Sequence, residues 1–195
     1  MRAALESDAV SNSEYPRELE QSLTLMDGTR LHLRPIRPDD APRLIEFYDR
    51  LSLLTAYQRF FNVMKRLPPD WARILATVDY HHRLALIAEY GPPDAPVLVA
   101  VARYEPTNDP ETAEVAFVVQ DGFQGRGLGV VLLNRLLEAG EARGIRRFRA
   151  YVLADNSRML DMLARFTDIR ERSVDHGVVD ILFERRRTAP APPHG

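Results

Sequence analysis

The sequence contains no cysteine among its 195 residues. Disulfide bonds, thiolate metal ligands and a cysteine nucleophile are therefore excluded. No stretch approaches the roughly 20 consecutive apolar residues that a bilayer-spanning helix needs. The polar N-terminal segment lacks the apolar core of a signal peptide. We therefore expect a cytoplasmic protein that works without a membrane and without a metal.

An excess of charge of one sign is also missing. The 26 basic and 28 acidic side chains leave a formal net charge of −2, so no broad basic surface for nucleic acid is expected. The length suits one domain. We expect a flexible lead-in over residues 1–20, a folded domain over residues 21–186 and a proline-rich tail over residues 187–195.

The hydrophobic pattern predicts strands and helices in an irregular order. A hairpin over 22–36 turns at Asp27-Gly28. Helices are predicted over 37–51, 52–61, 67–79, 129–144 and 155–166. Strands are predicted over 83–90, 96–105, 112–119 and 146–154, and a second hairpin over 168–185. This order predicts an α/β fold with a mixed sheet covered by helices on both faces.

Two of these helices carry finer expectations. Asp39 or Asp40 is expected to cap the helix over 37–51 with its carboxylate. In the helix over 67–79, Asp70 is the expected cap, and three large apolar side chains are expected to face inward: Trp71, Ile74 and Leu75.

Four glycines lie between the strand over 112–119 and the following helix: Gly122, Gly125, Gly127 and Gly129. The first N–H groups of a helix have no partner within it, and the helix dipole adds partial positive charge there. Glycines let a bulky anion approach this backbone, so the turn fits a phosphate. Arg126 is a candidate for an added ionic contact. The alternative is a glycine-rich turn that only tightens a connection.

Two phosphate-binding motifs do not fit this turn. A Walker A loop requires a Lys-Ser or Lys-Thr pair after its last glycine, and here Val130 and Val131 follow. The dinucleotide-binding motif G-x-G-x-x-G differs in spacing and follows the first strand of its domain.

The segment QGRGLG, residues 124–129, resembles the Q/R-x-x-G-x-G/A signature of Gcn5-related N-acetyltransferases (GNAT). The resemblance spans residues 30–185. It is closest to the branch of protein lysine acetyltransferases (Pat-like) that modify acyl-CoA synthetases. It implies a central, mostly antiparallel sheet, acetyl-CoA as cosubstrate, and two central strands that splay apart around it.

The resemblance also implies which residues bind the cosubstrate. The pantetheine arm would pair with the backbone of Val118 and Val119, and Asn156 would lie near the thioester. The backbone of one continuous segment would hold the pyrophosphate: Gln124, Gly125, Arg126, Gly127, Leu128 and Gly129.

Glu114 is the candidate general base. A lysine amine has a pKa near 10.4, so transfer at neutral pH needs a group that accepts its proton. Glu114 is the only carboxylate within the strand segment AEVAFVV, and in the branch that it resembles a glutamate of this strand is the base. The alternatives are a solvated glutamate at a strand end, or one paired with an arginine.

Many relatives carry a tyrosine that protonates the leaving thiolate, but Leu163 stands at that position here. The acceptor is left open between a protein lysine and a small amine, and a non-catalytic acyl-CoA sensor is a further alternative.

Two other groups of residues stand out. Tyr80-His81-His82 is expected to be a loop rather than a metal site, and the acceptor channel has four candidates: Tyr57, Arg59, Phe60 and Phe61.

Overall fold

The computed structural model describes residues 14–62 and 64–186. In this part of the chain, eight strands form one sheet. The strands are β1 (Gln21–Thr24), β2 (Arg30–Pro35), β3 (Leu84–Tyr90), β4 (Val97–Pro106), β5 (Thr112–Val119), β6 (Arg147–Leu153), β7 (Thr167–Asp175) and β8 (Val178–Arg185). The helices are α1 (Ala41–Asp49), α2 (Leu53–Phe60), α3 (Pro69–Ala76), α4 (Leu128–Glu141) and α5 (Ser157–Phe166).

The strand order is β1-β2-β3-β4-β5-β6-β8-β7, and every neighbouring pair is antiparallel except β5 and β6. This parallel pair is short, because only Thr112 to Glu114 pair with Arg147 to Arg149. Beyond these residues the two strands separate. The predicted mixed sheet and the predicted splaying of its central strands are thus confirmed.

One face of the sheet is covered by α4 and α5. The apolar stripe of α4 is fully buried there: Leu132, Leu133, Leu136 and Leu137. Gly140 lies above Phe148 of β6, where a Cβ atom would come within 2.8 Å of the aromatic ring. This contact explains a glycine in the last turn of α4, and it sets how closely the helix approaches the sheet.

The opposite face is covered by α1, α2 and α3, which enclose a second core. The expectation for α3 is wrong for Trp71 and Ile74, whereas the third residue, Leu75, packs against this core as expected. Trp71 and Ile74 are 52% and 58% exposed, whereas Ala72 and Ala76 are fully buried. Small side chains on the inner face let this short helix pack closely. The cap also differs, because Pro68 precedes the helix and Asp70 lies within it.

The cap expected for α1 is also wrong. Asp40 occupies the N-cap position, but its carboxylate makes no capping hydrogen bond to α1. It accepts instead from the backbone N–H of Arg37 and from the guanidinium of Arg34, at 2.7–2.8 Å. The donors to the Asp40 carboxylate are therefore the Arg34 guanidinium and the Arg37 N–H, which precede α1, rather than the N–H groups of α1.

Part of the expected lead-in is folded onto the domain. The hydroxyl of Tyr15 donates to Glu20, its ring packs edge-on against Tyr80, and a short 3₁₀ turn follows at Arg17–Leu19. Burial and the hydrogen bond to Glu20 raise the pKa of Tyr15 to about 12. The rest of the lead-in and the predicted tail, residues 187–195, lie outside the described residues.

The segment Tyr80-His81-His82 is a loop between α3 and β3, as predicted. Within the described residues, no group of three metal-ligating side chains comes together. No helix in the described part of the chain is both long and apolar enough to cross a bilayer.

Candidate active site

A cleft of about 500 Å³ opens where β5 and β6 separate. Its walls come from β5, β6, α2 and α5, and the glycine turn lies along it. The cleft brings together most of the predicted site. Eight of the predicted residues line it: Glu114, Val118, Val119, Gln124, Gly125, Gly127, Gly129 and Asn156. Positions far apart in the sequence meet here because the sheet opens at one place only, between its two parallel strands.

The glycine turn has an unsatisfied backbone. Gly125 and Gly127 adopt φ angles of 75° and 86°, which L side chains rarely adopt. Among the described residues, no acceptor receives a hydrogen bond from the backbone N–H groups of Gly125 through Gly129. The first intrahelical bonds come only from Val130 and Val131. Five consecutive donors at a helix N-terminus therefore remain free for an anion.

The side chain of Gln124 holds the turn in place. Its amide nitrogen donates to the carbonyl of Val119 at 2.9 Å and to the hydroxyl of Thr55 at 3.2 Å. Its amide oxygen accepts from Arg158 of α5 at 2.6 Å. One side chain thus connects β5, α2 and α5 around the cleft.

Arg126 does not point at the free N–H groups. Its guanidinium lies 3.1 Å from the carboxylate of Asp27, in the β1–β2 turn, and 5.5 Å from the ring centroid of Phe123. The predicted ionic contact with a phosphate would require this exposed side chain to leave Asp27. Leu128 has a fully buried side chain, so only its backbone can reach a ligand.

The backbone of β5 alternates in direction, and this bears on the prediction for Val118 and Val119. Gln120 donates to the carbonyl of Val99 on β4, so the preceding carbonyl, that of Val119, points the opposite way, into the gap. The same alternation turns the N–H and C=O of Val118 toward β4. The backbone of Val119 therefore faces the gap, whereas Val118 presents only its side chain to the cleft.

Asn156 begins α5 and caps it. Its side-chain oxygen accepts from the N–H of Met159 at 3.2 Å, which is the bond of an N-cap. This bond fixes the amide group at the edge of the cleft and leaves the amide nitrogen as the group available to a ligand. The side chain that caps α5 is therefore also the predicted site residue.

Glu114 lies in β5 at the last residue pair with β6, just before the strands separate. Its side chain is exposed and forms no ion pair with any described residue, although Arg149 is its register partner on β6. It faces the α1–α3 side of the sheet, as do Ala116 and Val118. The carboxylate is therefore free to act on a group in the cleft.

The acceptor-channel candidates separate into two groups. Arg59 and Phe61 line the cleft, whereas Phe60 lies beside a smaller cavity beneath it. Tyr57 lines neither and is exposed. Burial lowers the pKa of Arg59 to about 10, and the nearby charge of Arg103 acts in the same direction.

A network between α2 and the glycine turn could not be read from the sequence. Asp121 accepts from the N–H and hydroxyl of Ser52 and from the hydroxyl of Thr55, at 2.6–3.0 Å. Burial acts to raise the pKa of Asp121, but these bonds outweigh it and hold that pKa below its usual value. Ser52 is recognisable as a cap, but its partner lies 69 residues away, and only the fold brings them together.

Leu163 lies on the inner face of α5 and is fully buried in the core. Among the described residues that line the cleft, the one tyrosine is Tyr151 of β6, whose side chain is 41% exposed. The sequence does not distinguish Tyr151 as a cleft residue, because the alternation along β6 predicts only that its side chain is exposed.

Comparisons with known proteins agree with this geometry. Residues 45–167, more than half of the chain, match the model of the acetyltransferase (GNAT) family. The GNAT domain of Streptomyces lividans PAT superposes with a TM-score of 0.79 at 36% identity, over 88% of this chain and 99% of that domain. A Salmonella typhimurium structure with acetyl-CoA, at 18% identity and a TM-score of 0.61, shares the fold.

Two relatives are known by sequence. The acetyltransferase Pat of Mycolicibacterium smegmatis is 34% identical over 154 residues, which are 78% of this chain but only 45% of that protein. An acetyltransferase of Pseudomonas aeruginosa is 28% identical over 152 residues, which are 82% of its length. The chain therefore belongs to the GNAT family, in its Pat-like branch, and is an N-acetyltransferase.

Proposed function

We propose that this enzyme transfers the acetyl group of acetyl-CoA to the ε-amine of a lysine in a folded protein. The observation that carries the proposal is the row of free N–H groups from Gly125 to Gly129, in the same cleft as the unpaired carboxylate of Glu114. An anion-binding turn and a base are the two groups that a CoA thioester and an amine require.

The cosubstrate would lie along β5. The pyrophosphate would accept from the glycine-turn N–H groups, and the pantetheine arm would extend beside Val119 toward Glu114. Glu114 lies five positions before Val119 in the strand, which is about 16 Å at the usual rise of a strand. This is the scale of an extended pantetheine arm, so the thioester would lie near Asn156 and the carboxylate.

The reaction requires a neutral amine. Glu114 would accept a proton from the lysine ammonium, directly or through a water molecule, and the amine nitrogen would then attack the thioester carbonyl carbon. The C–N bond forms, the C–S bond breaks, and acetyl-lysine, CoA and a proton result. A general base of this kind contributes roughly 10²–10⁴-fold to the rate.

The leaving group places little demand on the protein. A thiol has a pKa near 8.5, so the thiolate is a stable enough anion to depart and take its proton from solvent. The buried apolar side chain of Leu163 is compatible with this route, because no fixed acid is then needed at that position.

The protein acceptor rests on the resemblance to the Pat-like branch, which implies an acyl-CoA synthetase. The open form of the cleft suits a lysine on the surface of a folded partner. A chain without cysteine and with a CoA cosubstrate suits the cytoplasm, which we propose as its compartment.

The test is to mix the protein with acetyl-CoA and a purified acyl-CoA synthetase and to follow release of the CoA thiol. The enzyme adds no thiol background because it has no cysteine. We expect release that depends on the synthetase, with acetyl-lysine found by mass spectrometry. Release with small amines alone would instead support a small-molecule acceptor, and binding without release on any acceptor would support an acyl-CoA sensor.

A variant of the turn serves as the control for the anion site. In Gly127→Ala the methyl group meets no neighbour, but the φ of 86° is unfavourable for alanine by roughly 1–2 kcal/mol. We expect weaker binding of acetyl-CoA in a calorimetric titration. Gly144→Ala, at a φ of 90° just beyond the opposite end of α4, carries the same strain and should bind acetyl-CoA normally.

A further inference from the structure

Arg59 is a deeply placed cation without a fixed partner. Its residue is half-buried on α2, and among the described residues none forms a hydrogen bond or ion pair with its guanidinium. Its guanidinium carbon lies 5.0 Å from the ring centroid of Phe60. The guanidinium nitrogens nonetheless keep accessible surface, so a ligand in the cleft can reach them.

The neighbouring carboxylates do not neutralise this charge. Glu105 attracts Arg59 at a distance, but its carboxylate already accepts from Arg83 and Arg103. Glu114 attracts it too, without coming within ion-pair distance. Arg103 repels it. The guanidinium of Arg59 therefore has no ion-pair partner in the wall of the cleft, although the unpaired carboxylate of Glu114 lies in the same cleft.

A guanidinium in such a position favours a planar anion. Its fork of N–H groups matches the two oxygens of a carboxylate, and the pair is stronger where water is partly excluded. The pyrophosphate of CoA would be bound elsewhere, at the glycine turn. Next to the proposed base, the same positive charge disfavours an approaching ammonium group unless a negative charge accompanies it.

We propose that Arg59 binds a carboxylate carried by one of the two substrates, beside Glu114 in the cleft. This inference rests on the proposed function. The carboxylate belongs either to the acceptor, as an acidic residue next to the target lysine, or to the acyl group, as the distal carboxylate of a dicarboxylic acyl-CoA. Arg59 also borders a separate cavity of about 30 Å³ behind Val118, which has room for about one water molecule.

The experiment compares matched ligands with and without the carboxylate, in wild-type protein and in Arg59→Met. One arm measures the Kd of succinyl-CoA and of butyryl-CoA by calorimetry, since both acyl groups have four carbons. The other arm measures kcat/KM for acetyl transfer to two peptides that differ only in a Glu or a Gln beside the lysine. Arg165→Met, which removes an exposed arginine from the same cleft, is the matched control.

We expect wild type to prefer the carboxylate ligand by about tenfold or more in one arm, which identifies the source of the carboxylate. Arg59→Met should abolish that preference while keeping its affinity for acetyl-CoA, and Arg165→Met should retain the preference. Equal use of both ligands in both arms, or a preference that survives in Arg59→Met, would overturn the inference alone. Absence of acetyl-CoA binding would overturn the proposed function together with it.

Discussion

Two regions on the α1–α3 face of the sheet differ in whether their charged side chains form ion pairs. Beside β2 and β3, Arg34, Arg43, Asp40 and Glu89 form a closed cluster with hydrogen bonds of 2.6–3.1 Å. Three of these residues are at most 7% exposed. Two cations meet two anions, and each carboxylate accepts from both arginines. The cluster is complete without any ligand.

The cleft presents the opposite arrangement. Arg59 and Glu114 attract each other, yet neither forms an ion pair with a described residue. Incomplete pairing of charged groups in a concave site is costly for folding and is typical of positions that bind or react. The comparison distinguishes charges that stabilise the domain from charges left available to a substrate, and it can be tested from either side.

The largest expected effect is on catalysis. In Glu114→Gln the amide cannot accept a proton, so we expect kcat to fall by about 10²–10⁴-fold with unchanged affinity for acetyl-CoA. Stability should change by no more than about 0.5 kcal/mol, because the side chain is exposed and unpaired. The measurements are thiol release, calorimetry and thermal melting.

The control for this variant is Glu111→Gln, which lies just before β5. Glu111 pairs with Arg146 on the surface, 3.2 Å away, and does not line the cleft. We expect near wild-type turnover from it. Equal turnover in Glu114→Gln would remove Glu114 from the mechanism and favour the alternative of a solvated strand-end carboxylate.

The second effect is on stability, in the closed cluster. Glu89→Gln removes one of two buried negative charges and leaves two arginines to share Asp40. Loss of one partner in a buried ion pair costs roughly 3–5 kcal/mol. For a chain of this size we expect the melting temperature to fall by about 6–20 °C. Turnover per folded molecule should be nearly unchanged.

Glu138→Gln is the surface comparison for Glu89→Gln. Glu138 pairs with Arg135 and Arg185 at 3.0 and 3.5 Å but is 42% exposed, so its loss should cost at most about 1 kcal/mol. Similar melting temperatures for the two variants would mean that the cluster beside β2 and β3 contributes no more than a surface pair.

A third effect follows from pH. Burial alone would raise the pKa of Asp40 and of Glu89, but hydrogen bonds from Arg34 and the neighbouring donors outweigh burial and lower both. Lowered carboxylate pKa values stabilise the folded state above the unfolded values near 4, and this stability is lost as the pH falls through the folded values. We expect melting temperatures to drop below about pH 4, less steeply in Glu89→Gln than in wild type.

The measurement is thermal melting of both proteins from pH 7 to pH 3. Parallel curves would show that other carboxylates dominate the acid transition. The paired carboxylate of Asp121, whose pKa is also lowered, is present in both proteins and therefore cancels in the comparison.

Much of the fold could be predicted because it follows local patterns. Alternation in the first hairpin, the apolar runs of β3 to β5 and the leucine stripe of α4 each repeat one signal over many residues, so the sheet and its covering helices were predictable. The phase of α3 was not, because its buried residues are alanines, which carry little hydrophobic signal. Tertiary contacts with α1, rather than side-chain size, select which face of α3 is buried.

The site likewise has parts that a local sequence pattern predicts and parts that depend on tertiary contacts. The glycine turn and Glu114 lie in one continuous segment, so a motif can mark them. The pairing of Gln124 with Arg158 of α5, and the direction in which the backbone of Val118 points, depend on how separate elements meet. The isolation of Arg59 could not be predicted either, since the lack of a partner is a property of the assembled structure.

The smallest expected effect tests the comparison most directly. Arg59→Met removes the unpaired charge but keeps an unbranched side chain to fill the space of its stem. Removing a partly buried charge that has no partner relieves its desolvation, so the variant should be as stable as wild type or more stable by about 1 kcal/mol, roughly 2–4 °C. Thermal melting measures this. If the melting temperature instead falls as far as in Glu89→Gln, Arg59 stabilises the fold in the manner of Arg34, and the distinction between the two regions disappears.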